Sequence, residues 1–232
     1  MIEIFRQFLT TLYNVTIAKG RWLMYLQGLG QTLLLASITC VIGVLLGLLV
    51  ASAKISAAGS KNPVLRVLNA LCEIYTTVIR GTPLMVQLLI IFSIRAITSN
   101  MMVCVIGFGL NSGAYVSEIF RGGINSVDIG QTEAGRSLGL SRWQTMWKIV
   151  LPQAVKNILP ALFNEFIVLV KETSVAGYVG LNDLTKIAGL IKGLTFNPLP
   201  LFVAAALYLL VTYILTLLHK ALERRMARSD RG

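Results

Sequence analysis

Residues 33–53, LLLASITCVIGVLLGLLVASA, run for 21 positions without a charge, and residues 199–218, LPLFVAAALYLLVTYILTLL, run for 20 more. Each matches the roughly 20 residues a helix needs to cross a hydrocarbon core, where the backbone must satisfy its own hydrogen bonds. A chain holding two such runs is an integral membrane protein. The composition agrees: 55% hydrophobic and 13% charged residues exclude a water-soluble globular chain.

Between these runs the apolar segments are interrupted by ionisable residues. The pattern predicts an all-α integral membrane protein of five spans, near 29–53, 66–97, 101–120, 154–176 and 199–219. The second contains Glu73, Arg80 and a Gly-Thr-Pro break at 81–83. It reads as one helix broken at Pro83, or as a tilted helix followed by a shorter one. The loops 54–66 and 121–156 and the C-terminal tail carry 13 lysines and arginines, the opposite set seven. The positive-inside rule then puts the first set in the cytoplasm, leaving the N-terminus outside and the C-terminus inside a multi-pass cell membrane protein. The net charge of +11 is dispersed over short loops and a helix end, so topology explains it and no nucleic-acid partner is expected.

Three regions follow. Residues 1–24 form an extracytoplasmic segment in which Phe5, Phe8, Leu9 and Leu12 fall at helical spacing ahead of Trp22 and Tyr25. That pattern suits an interfacial helix, with a frayed end as the alternative, and it lacks the basic start and long apolar run of a cleaved signal peptide. Residues 25–220 are the transmembrane domain, with a cytoplasmic segment at 121–153, and residues 221–232 are a basic tail.

Reactive chemistry is sparse. Cys40, Cys72 and Cys104 fall inside spans and read as small hydrophobes, with no disulfide or metal assigned. His219, at the end of the last span, reads as a helix cap or a headgroup contact. Gly43 and Gly47 form a G-x-x-x-G that permits close helix approach, or else face lipid. No cluster for nucleophilic or metal catalysis stands out, and no G-x-x-x-x-G-K-[ST] phosphate loop occurs. The chain is therefore expected to be non-enzymatic and to bind no cofactor itself; any ATP use falls to a partner.

The polar stretch EAGRSLGLSRWQTMWKIVLP, residues 133–152, stands apart in so apolar a chain. Thr132 can cap a short helix beginning at Glu133, and Gly139 can end it by taking positive φ. Ser141 with Gln144 three residues on makes a capping box for a second helix that runs into span four. Trp143 and Trp147 share one face of that helix as interfacial anchors. A short, well-capped polar helix projecting from a bundle reads as a protein-binding knob, or as a connector resting on lipid.

Glu133, Ala134, Gly135 and Gly139, then nine residues and Ile149, Leu151 and Pro152, spell E-A-G-x-x-x-G-x9-I-x-L-P. This resembles the signature of the membrane subunits of binding-protein-dependent ABC importers, E-A-A-x-x-x-G-x9-I-x-L-P, with Gly135 in place of the third alanine. The segments VIRGTPLMVQL (78–88), SGAYVSEIFRGGINSV (112–127) and FNEFIVLVKETSVAGYVG (163–180) resemble the polar amino acid uptake branch of that family. The resemblance implies a type I importer permease bundle in which Glu133, Ala134, Gly135 and Gly139 dock on an ATPase subunit. It also implies two ATPase subunits using ATP and magnesium, a second permease subunit (identical or related), an external solute-binding protein, and a polar amino acid as substrate.

Charges inside spans are costly and normally face a cavity or each other. Glu73 and Arg80, seven apart, share a face of span two; Arg80 and Glu165, with Asn164 beside it, can offer a cation and an anion to an amino acid zwitterion. The competing reading is structural, an ion pair of Arg80 with Glu73 or with Glu165. Glu118 and Arg121, three apart, read as a surface pair. A secondary transporter, or an importer subunit for another small polar solute, is the alternative function; the first would call for inverted repeats, which the sequence does not display.

Overall fold

The computed structural model describes residues 1–58, 60–94 and 99–228. Arg95 and Arg231, the end of the expected second span at 95–97, and the tail past 228 lie outside the described residues.

The described chain is helical with no strand. Helix α1 (Ile2–Thr16) leads through a tight turn at Lys19 and Gly20, both at positive φ, into α2 (Arg21–Ala57). Then come α3 (Pro63–Gly81), α4 (Leu84–Phe92), α5 (Asn100–Asn125) and α6 (Ile129–Ser137). A four-residue helix, α7 (Arg142–Thr145), passes through a π turn at Met146–Val150 into α8 (Leu151–Glu172). After a 3-10 segment (Thr173–Val179), α9 (Leu184–Thr195) and α10 (Leu199–Arg228) complete the order.

Three of these are long and apolar enough to cross a membrane: Ala18–Ala57, Asn100–Asn125 and Leu199–Met226. The pair α3 and α4, bent by 104°, makes a fourth if counted as one span. The helix α8, the expected fourth of five spans, is not among them.

The bend follows from Gly81-Thr82-Pro83. Proline holds the preceding residue extended (Thr82 φ −121°, ψ 145°) and denies a helical donor to what lies before it. Carbonyls released there need other donors. Gln87 Nε2 supplies them, donating to the Ile79 and Thr82 carbonyls at 2.7 and 3.0 Å and to Thr82 Oγ1 at 2.8 Å.

The hub is α5, which packs against α2, α3, α4 and α8. Gly43 and Gly47 face it, not lipid: a Cβ on Gly43 would strike the Ser112 side chain, and one on Gly47 would lie 2.5 Å from Val116 Cγ1. Leu35, Leu88, Phe108 and Leu169 fill the core where α2, α4, α5 and α8 meet. A second cluster, Tyr25, Leu184, Ile187 and Ile191, fixes α9 to the early part of α2. Asp183 caps α9, accepting from the Thr185 and Lys186 amides at 2.8 and 3.2 Å, while burial pushes its carboxyl above the ordinary value.

Two expectations need correction. His219 sits in the body of α10, where it does not cap a helix end: Nε2 lies 3.0 Å from the Pro160 carbonyl and the ring stacks on Phe163. Lys54, assigned to a loop because a charge was taken to end the span, lies inside α2 and is buried.

Candidate functional site

The polar stretch folds as two short helices held face to face. The first begins earlier than the sequence suggests: Asp128 caps α6, Oδ1 accepting from the Gly130 amide at 2.6 Å, so Thr132 and Glu133 are already inside the helix. Asp128 sits close after α5 and outcompetes Thr132 because it gains an extra turn. Gly139 ends α6 as expected, at φ +84°. There the Gly139 amide donates to the Arg136 carbonyl and the Leu140 amide to the Gly135 carbonyl. The capping box is formed on both sides: the Ser141 amide donates to Gln144 Oε1 at 2.8 Å, and the Gln144 amide to Ser141 Oγ at 3.2 Å.

Pro152 accounts for the π turn. Lacking an N–H, it cannot continue the i→i−4 ladder, and the Leu151 amide instead bonds to the Met146 carbonyl, five residues back. The widened turn presents Thr145 and Ile149 to α6. Gly135 is buried against them: a Cβ there would lie 2.7 Å from Ile149 Cδ1 and 2.9 Å from Thr145 Cγ2. The spacing from Gly135 to Ile149 in the motif is thus a packing distance. Reading Gly135 only as a loss of helix propensity missed this contact, because it is made across sequence.

With Gly135 turned inward, α6 leaves Glu133 and Ala134 exposed, with Ile129 and Leu138 exposed as well, the latter at 81%. Trp143 and Trp147 are also exposed and meet edge to face, ring centroids 5.4 Å apart.

The second set of expected residues is divided. Glu165 on α8 is partly buried and accepts from Ser112 Oγ at 3.4 Å, beside an exposed Asn164. Arg80 on α3 lies over the Tyr115 ring, 5.2 Å from its centroid. Among the described residues neither Glu165 nor Glu73 forms an ion pair with Arg80, so both structural pairings considered from sequence are replaced. Glu73 pairs with Lys54 at 3.1 Å. The surface pair Glu118–Arg121 forms at 2.6 Å and is extended by the same lysine, 2.8 Å from the other Glu118 oxygen. These groups, with Thr76, Thr77 and Arg80, line a cavity of about 330 Å³. Sequence reasoning missed Lys54; its signal was a lone lysine directly after an uncharged run, one turn inside the C-terminus of α2.

The family described as binding-protein-dependent transport system inner membrane component matches residues 43–228. The arginine transport system permease protein ArtQ of Bacillus subtilis is 38% identical, over 88% of this chain and 93% of its own. The putative glutamine transport system permease protein GlnP of Rickettsia felis is 39% identical over the same shares. A crystal structure of an amino acid ABC transporter with histidines contains a chain 40% identical, with a TM-score of 0.81, covering 87% of this chain and 94% of that one. The MetNI methionine ABC transporter, at 16% identity and a TM-score of 0.78, shares the fold. The chain belongs to the family of inner membrane permease components of binding-protein-dependent ABC transport systems.

Proposed function

We propose that this permease subunit carries a polar amino acid into the cell and that α6, with Glu133, Ala134, Gly135 and Gly139, is where an ATPase subunit docks. The single observation behind the docking assignment is the inward packing of Gly135. It anchors a helix too short to be stable alone and leaves its outer face bare. Two ATPase subunits, hydrolysing ATP with magnesium, act on a pair of permease subunits, and an external binding protein delivers the solute.

In this reading five spans cross the cell membrane: α2, the bent α3 and α4, α5, α8 and α10. The polar character of α8 suits a helix that lines a path. The lysine and arginine distribution supports an N-terminus outside and α6 in the cytoplasm. Relatives named for arginine and glutamine transport support a polar amino acid as the solute. Glu165, Asn164, Arg80 and Glu73 are the path residues, the carboxylates facing an ammonium and Arg80 a carboxylate.

Proteoliposomes holding the chain with its cognate ATPase and binding protein test this. Uptake of labelled polar amino acids, recovered unchanged, is expected with ATP and the ATPase and absent without either. Uptake driven by an ion gradient alone contradicts the reading.

A further inference from the structure

Lys54 belongs neither to the docking helix nor to the path residues named above, yet its side chain is only 5% exposed. An ammonium offers three donors, and each finds a partner: Glu118 Oε1 at 2.8 Å, Glu73 Oε1 at 3.1 Å and Thr76 Oγ1 at 3.5 Å. Lys54 stands on α2, Glu118 on α5, and Glu73 and Thr76 on α3. The free oxygen of Glu118 is held by Arg121, from Nε at 2.9 Å and from the terminal nitrogen at 2.6 Å. Glu118 is thereby oriented from two sides.

Burying an ammonium costs more than packing an apolar side chain of the same length, so stabilisation alone does not account for the charge. Its placement supplies a role. Beyond Glu118, α5 continues only to Asn125, roughly 10 Å, before Asp128 caps α6. On the other side, Glu73 and Arg80 lie on α3 and line the same cavity. Lys54 touches the helix that carries the docking element and the helix that carries path residues.

We propose that Lys54 is a positioning residue for transport: it ties α3 to α5, so that displacement of α6 by an ATPase passes through Glu118 and Lys54 to Glu73 and the path-facing side of α3. This rests on the docking role assigned to α6. The link is a contiguous chain of charge-assisted contacts between helices, one physical route by which a displacement at α6 can bias α3.

Solute moved per ATP hydrolysed tests it, measured in proteoliposomes with the cognate ATPase and binding protein. The variants are Lys54→Met, Lys54→Arg, Glu118→Gln and the double Lys54→Met/Glu118→Gln. Lys54→Met and Glu118→Gln are expected to bind the ATPase and hydrolyse ATP while losing roughly tenfold in solute per ATP. Lys54→Arg keeps most of it. The double variant, its buried charges balanced again, regains thermal stability and stays uncoupled. A lysine with only a structural role behaves otherwise: coupling returns with stability in the double variant, and Glu118→Gln transports as wild type, either of which overturns the proposal. If Lys54→Met does not insert, Glu118→Gln decides alone. A wild type that moves no solute with ATP defeats the importer reading itself, which separates that failure from this one.

Discussion

At the scale of single residues, the docking element rests on one close helix approach. Gly135 allows α6 to lie on Thr145 and Ile149. An alanine there meets Ile149 Cδ1, the end of a flexible side chain, and the nearby Thr145 methyl, which is stiff. Its gain in helix propensity, about 1 kcal/mol, offsets the shift it forces. Gly135→Ala is therefore expected to leave the thermal midpoint and ATPase capture close to wild type. Gly135→Leu cannot be accommodated by a side-chain rotation and is expected to cost about 1–3 kcal/mol and to lift α6 from its support, lowering ATPase capture in detergent. Equal capture by both variants would show that the contact is not what holds α6. The sequence revealed the capping box and the Gly139 stop because both depend on neighbours within five positions. Gly135 against Ile149, and Lys54 against two carboxylates, depend on helices meeting, which no local pattern encodes.

At the scale of elements, the junctions were less legible than the helices. The Gly-Thr-Pro break was visible in sequence, but its angle and the polar side chain that completes it were not. Gln87 reaches back eight residues to the Ile79 carbonyl, a contact that exists only because the chain turns by 104°. Gln87→Leu has about the same volume and removes the donor. It is expected to leave carbonyls unsatisfied at a cost of about 1–3 kcal/mol, lowering the thermal midpoint of the detergent-solubilised protein. Gln87→Glu, an acceptor only when ionised, should not rescue it. A midpoint unchanged in Gln87→Leu would mean that water already serves the bend. The π turn before Pro152 is a similar case: the proline was read as part of a motif, whereas structurally it widens the turn that follows Thr145 and carries Ile149.

At the scale of the whole molecule, two uncharged runs were enough to establish the membrane class, and one 20-residue motif to suggest the family. The middle of the bundle was harder to read for a physical reason. The most buried of the apolar spans is α5, which is lined with glycine, serine and asparagine and is the least hydrophobic of the three; the least buried, α10, is far more hydrophobic. In a membrane the outward helices carry the apolar signal and the central ones can be polar, so hydropathy identifies the periphery first. On the five-span reading proposed above, α8 escapes a test of length and apolarity because it bears Glu165, Asn164 and other polar residues.

The account stands or falls on α6 as the link to an ATPase. The direct measurement is co-purification of the wild type and a Glu133→Arg/Gly139→Leu variant with the cognate ATPase, together with ATP turnover stimulated by solute-loaded binding protein. Glu133→Arg reverses charge on the bare face, and Gly139→Leu puts a side chain where φ is +84°. With both proteins inserted equally in the membrane, the variant is expected to lose ATPase capture or its stimulation. An ATPase captured and stimulated equally by both would contradict the assignment of residues 133–152 as the coupling element.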